Sequence, residues 1–296
     1  MRITQRAVTL TSLQGLNQNL DSLGKLQEQL TSGRMLNAPS DSPTGTNRAM
    51  QARAEQEATA QYARNISDGQ AWLNQTDSTL QRMLDVTRRV RDLTVQGSNA
   101  GALSEVSREA LGKEADSLRE SLLGLANTTV TGRPLFGGIT SGPKAYDSDT
   151  GAFVGLVVPG SEIYRRVSST ESVRVDVTGP EAFEVDGLDL FSVVDRIATD
   201  LRTDPAGLEQ DLEDLDLVMN TMLSAVADIG ARSARMDREA LINLDQGMAL
   251  GTRLAEVEDI DLPNTIMRLQ MQQTAYEAAL SATAKAITPT LLDHLR

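Results

Sequence analysis

The chain has no cysteine, a single histidine and few aromatic side chains. The absence of cysteine excludes disulfides, thiolate chemistry and sulfur-ligated zinc, and His294 alone cannot form a histidine metal cluster. Aromatic residues make up only 3% of the 296 residues, so a core must rely on Leu, Val, Ile, Met and Ala, which are typical of helix packing. We therefore expect a mainly α-helical protein without a metal or other cofactor.

Long apolar runs and clusters of positive charge are also lacking. No stretch approaches the roughly 18 consecutive apolar residues of a membrane span, and the N-terminus has no apolar segment typical of a cleavable signal peptide. The formal net charge is −13, and no basic patch offsets it, which argues against nucleic-acid binding. We expect neither a membrane nor a nucleic acid as a partner.

What the sequence does contain is apolar side chains at heptad spacing near both ends. They recur at steps of three and four residues from Leu13 to Leu30 and again, after Pro263, from Ile266 onward. This spacing is typical of helices that pack along a seam, so we predict that the two terminal segments pair with each other and with copies of the chain. The predicted assembly interface consists of Leu13, Leu16, Leu20, Leu23, Leu30, Ile266, Leu269, Tyr276, Leu280, Ile287, Leu291 and Leu295.

Longer helices are predicted between these ends. The polar stretch Asn37 to Pro43 predicts a turn, and the proline-free stretch from about Thr44 to Gln96 predicts a long helix. Further helices are predicted from Ser104 to Asn127, over a short stretch from Phe191 to Leu201, and along an apolar seam from Leu208 to Ala240. The chain order therefore indicates a bundle to which both halves of the sequence contribute.

The stretch between residues 128 and 189 has a different pattern. Valines alternate with charged residues from Val173 to Val177, which is the period of a half-buried strand, and Gly, Pro and Thr are frequent. We predict a small β-rich insertion there. The expected fold is a long-helix bundle with a terminal coiled-coil domain (1–43 and 254–296), a helical bundle domain (44–127 and 190–253) and a small β-rich domain (128–189).

The two terminal helices alone offer little apolar surface for the number of residues they must order. We therefore expect, as a hypothesis, that both ends are largely disordered in a free subunit and fold when neighbouring subunits cover their remaining faces. Ordinary packing of both ends within a monomeric bundle is the alternative.

No constellation of catalytic or ligand-binding residues is evident. Asp147, Asp149 and Gly151 resemble the start of a calcium loop, but Val158 stands where the bidentate Glu is needed, so a polar turn is expected. Acidic clusters such as Glu213-Asp214 and Glu256 to Asp259 are expected on solvated faces. We predict no catalytic, cofactor-binding or metal-binding residues, and hence a protein that is not an enzyme; an enzyme carried on a helical scaffold would need a convergent site.

Several short strings together resemble a known family. They are Leu30-Thr-Ser-Gly-Arg34 with Asn37 and Pro39-Ser-Asp-Ser-Pro43, Gln61-Tyr-Ala-Arg-Asn-Ile66 with Trp72-Leu73 and Thr76-Asp77, Leu125-Ala-Asn127 with Leu135-Phe-Gly-Gly138, and Met267 to Leu280. On these strings the chain resembles the flagellin superfamily, and its last string and length are similar to the hook-filament junction branch. Ser42 and Pro134 depart from the family pattern, in which an acid and an aromatic residue are common at these places.

The resemblance implies a structural subunit of the bacterial flagellum that forms a ring between the hook and the filament. It implies as partners other copies of the chain, the other hook-filament junction protein, flagellin and a flagellar export chaperone. It also implies secretion by the flagellar type III route to the outside of the cell. A flagellin that builds the filament itself is the alternative.

Overall fold

The computed structural model describes residues 2–98 and 104–287, and these are mostly helical. Seven helices lie within them: α1 (Arg2–Ser32), α2 (Pro43–Ser98), α3 (Glu105–Ala126), α4 (Gly179–Phe183), α5 (Leu190–Thr203), α6 (Leu208–Glu258) and α7 (Leu262–Ile287). The mainly α-helical fold predicted from the sequence is confirmed.

The chain divides into two units. One, which we call the end unit, joins Met1–Ala58 with Gln246–Arg296, and the other, the middle unit, is Thr59–Asp245. Helices α2 and α6 each contribute residues to both units. The three-part division expected from the sequence stays a prediction.

Helices α2 and α6 run antiparallel through the middle unit. Hydrogen bonds join them at widely spaced points: Asn243 Nδ2 donates to Thr59 O at 3.0 Å, and Arg91 Nε donates to Asp216 Oδ1 at 2.7 Å. Between these points the apolar faces predicted from the sequence are buried, and the predicted helical register is confirmed. The buried side chains on these faces include Ile66, Leu73, Leu80, Met83, Val90, Leu208, Leu215, Met222, Ile229 and Met236.

Three buried threonine hydroxyls within this contact are satisfied locally. Thr76, Thr87 and Thr94 are fully buried on α2, and each hydroxyl donates to the carbonyl oxygen four residues earlier, at 2.8 to 2.9 Å. Such bonds remove the cost of burying a hydroxyl without a partner. Threonine in the contact between the helices therefore leaves no unpaired hydroxyl that would destabilise it.

Helices α3 and α5 pack against each other beside this pair. Helix α3 begins after Ser104, whose Oγ accepts a hydrogen bond from the amide of Ser107 at 3.2 Å, the usual N-cap arrangement. At its other end Asn127 binds the following loop, because its Oδ1 accepts from the amides of Ala145 and Tyr146 at 2.8 and 2.9 Å. The α3 end thereby anchors the insertion that follows.

The insertion contains three two-stranded antiparallel sheets. They pair β1 (Thr129–Val130) with β2 (Arg133–Pro134), β3 (Tyr164–Arg166) with β4 (Ser172–Arg174), and β5 (Glu184–Val185) with β6 (Leu188–Asp189). The first and last are tight hairpins whose two loop residues, Thr131-Gly132 and Asp186-Gly187, all have positive φ. Two-residue loops of this kind match the twist of paired strands.

An aromatic cluster ties the insertion to α5. All four phenylalanines of the chain, Phe136, Phe153, Phe183 and Phe191, gather with Tyr146, with ring centroids 4.7 to 6.1 Å apart. Edge-to-face contacts of this kind add to the stabilisation from apolar burial. The few aromatic residues are thus concentrated where short strands offer little core of their own.

Two expectations about charged residues are wrong. Asp176, in the alternating valine stretch, is buried, because its Oδ1 accepts from the Ile163 amide at 2.8 Å and from Arg174 Nε at 3.1 Å. Asp214, expected on a solvated face, is buried in an ion pair with Arg196 of α5. The first carboxylate is compensated by Arg174, two residues earlier, and the second by Arg196 of the preceding helix, and periodicity alone reveals neither pairing.

Asp189 caps α5 and titrates abnormally. Its Oδ2 accepts from the amides of Phe191 and Ser192, both at 3.1 Å. Burial raises the pKa of this carboxyl to about 6, while the two amide bonds oppose the rise and Glu184 adds to it. The stabilisation that this raised pKa contributes is fully present below pH 4 and is lost as the pH rises through 6.

We predict that Asp189→Asn makes the protein more stable than the wild type at pH 7.5. Asparagine accepts the same amide bonds as an N-cap without a buried charge, so the gain should disappear as the pH falls below 4. Urea unfolding followed by the fluorescence of Trp72 measures both values. The exposed Asp186→Asn serves as the control and should leave the pH profile unchanged; a variant at position 189 with the wild-type profile would refute the assignment.

Candidate assembly interface

Helices α1 and α7 form an antiparallel pair in the end unit. Gln272 Nε2 donates to the side-chain Oδ1 of Asn19 at 3.1 Å and lies 3.4 Å from its carbonyl oxygen. Near the other end of the pair, Arg34 and Asp259 form an isolated antiparallel bridge. These two points fix the register, because a polar pair inside a helix contact is satisfied in only one alignment.

The connection from α1 to α2 is a compact turn. Helix α1 ends at Gly33, whose φ of +71° is the left-handed conformation that favours glycine at a helix end. The amide of Met35 then donates to Glu258 O at 2.6 Å, and the amide of Ile260 donates to Gly33 O at 3.3 Å. The turn predicted after the first helix is therefore present and joins the start of the chain to the end of α6.

The rest of the turn depends on short polar side chains. Asp41 Oδ2 accepts from the amides of Asn37 and Ala38 at 3.2 and 2.9 Å, and these bonds lower the pKa of the carboxyl. Ser42 Oγ accepts from the Gly45 amide at 3.1 Å, where α2 begins with Pro43 in its first turn. Ser42 thus has a structural role although it departs from the family pattern.

Glu258 corrects another expectation. It lies in the acidic cluster expected on a solvated face, but it is only 6% exposed and pairs with Arg53 of α2 at 2.7 Å. Arg53 itself is about half exposed, so it covers the carboxylate from the solvent side. The end of α6 is therefore held to both α2 and the turn by one residue, through its side chain and its carbonyl group.

The structure divides the residues of the predicted interface into two groups. One group is half-buried in the end unit: Leu16, Leu23, Leu30, Leu269 and Tyr276. The other is exposed: Leu13, Leu20, Ile266 and Leu280. The side chain of Ile287, and Leu291 and Leu295 as a whole, lie outside the described part of the chain.

The face of α7 that lies against α1 is more polar than expected. It follows the buried Thr265 and the half-buried positions Leu269, Gln272, Tyr276, Ala279 and Thr283. The register predicted from periodicity includes Leu269 and Tyr276, which lie on this face. It also includes Ile266 and Leu280, each one residue after a position of the face. Both registers fit heptad spacing, and only the pairing of Gln272 with Asn19 distinguishes them.

As a result, apolar side chains remain on the outer surfaces of the pair. On α7 an open, shallow surface, which we call the α7 groove, is formed by one face of the helix. It is mainly apolar and is lined by Met267, Gln270, Met271, Thr274, Ala275 and Ala278, none of which is charged. On α1, Leu10 joins Leu13 and Leu20 among the exposed residues. Leu10, Met267 and Met271 were not predicted from the sequence, because the prediction followed one heptad series along each terminal helix and these residues lie outside it.

Other kinds of site are not found among the described residues. No helix there combines the length and apolar composition that crossing a membrane requires. No group of three or more His, Asp or Glu side chains there is placed to hold a metal ion. Asp147, considered above for a calcium loop, instead accepts from the amides of Asp149 and Thr150 within a turn.

Comparison with known proteins shows that the chain is similar to flagellar proteins. Residues 3–141 match Flagellin_N, the bacterial flagellin N-terminal helical region. Flagellar hook-associated protein 3 of Escherichia coli strain K12 is 25% identical over 95% of this chain and 96% of that protein. The chain is thus similar to the flagellin superfamily in its N-terminal part and to this hook-associated protein over nearly its whole length.

Two further flagellar proteins match most of the chain. The flagellin of Bacillus subtilis strain 168 is 23% identical over 97% of this chain and 96% of that protein. The crystal structure of the flagellar junction protein FlgL from Legionella pneumophila is 15% identical and superimposes with a TM-score of 0.59, covering 72% of this chain and all of that one. At this identity the structural likeness bears on the fold alone.

We predict that cysteines placed at Asn19 and Gln272 react with a short thiol cross-linker faster than cysteines at Asn19 and Thr274. Thr274 lies two residues further along α7, on the opposite face, so only the first pair should lie within reach. The chain has no cysteine of its own, so each variant carries only the intended pair. Intramolecular cross-linking is read by gel mobility and mass spectrometry, and equal rates for both pairs would contradict the register.

Proposed function

We propose that the protein is a structural subunit of the bacterial flagellum that joins the hook to the filament. The observation that carries the proposal is the end-to-end match with flagellar hook-associated protein 3, together with a terminal helix pair that leaves much of its apolar surface exposed. A subunit of this kind acts by helix packing between copies, and such packing needs no catalytic residues.

The end unit supplies the surfaces for that packing. Leu13 and Leu20 on α1 and Ile266 and Leu280 on α7 are exposed in the single chain, and neighbouring subunits would remove them from water. The half-buried residues of the predicted interface act inside the pair by holding α1 against α7. Ile287, Leu291 and Leu295 extend the same proposed interface beyond the described side chains.

We further propose that α1 and α7 are fully ordered only in the assembly. Their mutual contact is partly polar and half-exposed, whereas the middle unit buries its apolar side chains almost completely. A helix pair with so little buried surface gains little to offset the entropy of ordering. The cross-link between positions 19 and 272 should therefore form more slowly in the free subunit than after assembly.

The proposed partners follow from this position in the flagellum. They are further copies of the chain in a ring, the other hook-filament junction protein, flagellin, and a flagellar export chaperone that binds the subunit before secretion. We propose export by the flagellar type III route, because ends that lack stable packing and a chain without disulfides suit passage in an unfolded form. The β-rich region 128–189 would face solvent as a third, outward domain.

A flagellin that builds the filament itself is the second candidate. The match to the Bacillus subtilis flagellin over nearly the whole chain favours it. The two candidates use the same helix packing and differ in whether the purified protein polymerises without limit. Long filaments formed by this protein alone would favour flagellin.

We predict that the full-length protein, mixed with hook fragments and flagellin, is found only at the boundary between hook and filament. A junction subunit presents different neighbours on its two sides, so it should neither extend into the filament nor form one alone. Electron microscopy with a labelled subunit locates it directly. A strain that lacks the gene and still anchors normal filaments would refute the proposal.

We predict that Leu280→Asp abolishes attachment to hooks but leaves the middle unit folded. The charge would sit on a leucine that is 49% exposed in the single chain and, by the proposal, buried in the assembly. Leu156→Asp is the matched control, because Leu156 is 50% exposed but lies in the β-rich region proposed to face solvent. Hook binding and circular dichroism are measured for both; loss of the whole helical signal in the Leu280 variant, or equal loss of binding in the control, would count against the interface.

A further inference from the structure

The methionines of this chain are divided by exposure between the two units. Five of the nine in the described residues are exposed, and all five lie in the end unit: Met35, Met50, Met248, Met267 and Met271. The other four lie in the middle unit, where Met83, Met222 and Met236 are fully buried and Met219 packs partly buried against the core. Among the described methionines, every exposed one therefore lies in the unit proposed to assemble.

Exposed thioethers are sites of chemical modification. A peroxide oxidises methionine to its sulfoxide, which turns a flexible apolar side chain into a polar one, and exposure determines which methionines react first. Cysteine thiolates ordinarily react with the same oxidants, but this chain has none. Oxidation of sulfur in this protein is therefore oxidation of methionine, and it begins in the end unit.

Two of the exposed methionines stand out by their position. Met267 and Met271 are 59% and 64% exposed, lie one turn apart on α7, and line its outer groove together with Ala275 and Ala278. This groove lies on the side of α7 away from Gln272, which contacts α1. Small residues let a neighbouring backbone approach closely, and methionine adapts its shape to an apolar partner.

We propose that Met267 and Met271 form an oxidation site through which peroxide prevents the free subunit from assembling. This inference rests on the proposed function and assigns to the α7 groove a second copy of the chain as its occupant. The groove has no charged lining residue, and it lies on the same helix pair as the apolar side chains exposed for the proposed interface, so a like apolar helix face fits it.

The chemical step needs only the protein and a peroxide. The thioether sulfur attacks one oxygen of hydrogen peroxide, and the O–O bond breaks as the S–O bond forms. The proton of the attacked oxygen passes to the departing hydroxide, which leaves as water. Sulfur is oxidised by two electrons and the peroxide is reduced by two. The new sulfoxide oxygen needs a hydrogen-bond donor. Met267, Met271, Ala275 and Ala278 offer none, and the Thr274 hydroxyl already donates to Gln270 O at 3.0 Å, so the Gln270 amide is the one remaining side-chain donor of the lining.

Assembly would reverse the exposure of these side chains. A subunit already packed against its neighbours would hold both sulfur atoms away from solvent, so peroxide would act on free subunits and spare assembled ones. The site thus distinguishes subunits that are still to be added from those in place.

The test treats the full-length protein with hydrogen peroxide for increasing times, followed by peptide mapping and by a hook-binding assay. We expect Met267 and Met271 to be oxidised before Met222 and Met236, and hook binding to weaken by about tenfold or more as the first pair reacts. The variant Met267→Leu/Met271→Leu keeps apolar side chains of similar volume, and its hook binding after peroxide treatment should equal that of the same variant left untreated. The matched variant Met35→Leu/Met50→Leu also removes two exposed methionines and should remain peroxide-sensitive.

Each result supports or overturns the inference. Equal sensitivity of the Met267→Leu/Met271→Leu variant and the wild type overturns it, as does oxidation of Met222 as fast as that of Met271. Failure of untreated protein to bind hooks would instead count against the proposed function, and the order of oxidation from peptide mapping remains readable without any assembly. Assembled protein oxidised at position 271 as fast as the free subunit would overturn the assignment of a second copy to the groove.

Discussion

The contact between α2 and α6 in the middle unit is the constraint on which the rest of the structure depends. Leucine, isoleucine and methionine side chains from two distant parts of the sequence meet there and are almost fully removed from water. Burial of apolar area is the largest favourable contribution to folding, and here it is concentrated along one seam. Helices α3 and α5 and the aromatic cluster add to this core, so the middle unit buries most of its apolar side chains within itself.

The end unit differs in kind because its contacts are polar at the points that decide alignment. Asn19 with Gln272, and Glu258 with Arg53, set how the segments meet, while leucines and methionines nearby stay exposed. Polar pairs select one alignment and contribute little net stability, whereas apolar surface stabilises contacts with many alignments. The helices of the end unit thus have a defined alignment, and apolar side chains beside the polar pairs remain exposed. Both features are expected if neighbouring subunits cover this surface.

Much of this fold could be predicted from residue spacing. Leu73, Leu80 and Met83 recur at helical steps, and a proline-free stretch around them left no other interpretation, so α2 and its buried face were predicted correctly. The contact face of α7 could be predicted only in part. Heptad series that begin at Ile266 and at Thr265 both fit the spacing, and only a partner side chain, Asn19, decides between them. Buried acids escaped for a related reason: whether Glu258 or Asp214 is solvated depends on an arginine whose position only the folded chain provides.

The way the β-rich region is attached has a consequence for how such chains diversify. Arg119 of α3 donates to the carbonyl oxygen of Phe191 at the start of α5, so the region leaves and rejoins the bundle at neighbouring helix ends. Segments with closely spaced ends can be lengthened or exchanged with little effect on the scaffold. The region contacts the helices through Asn127 at the end of α3 and through the rings of Tyr146 and Phe183, which pack on Phe191 of α5. A region of different length or sequence should be accommodated if it keeps these contacts.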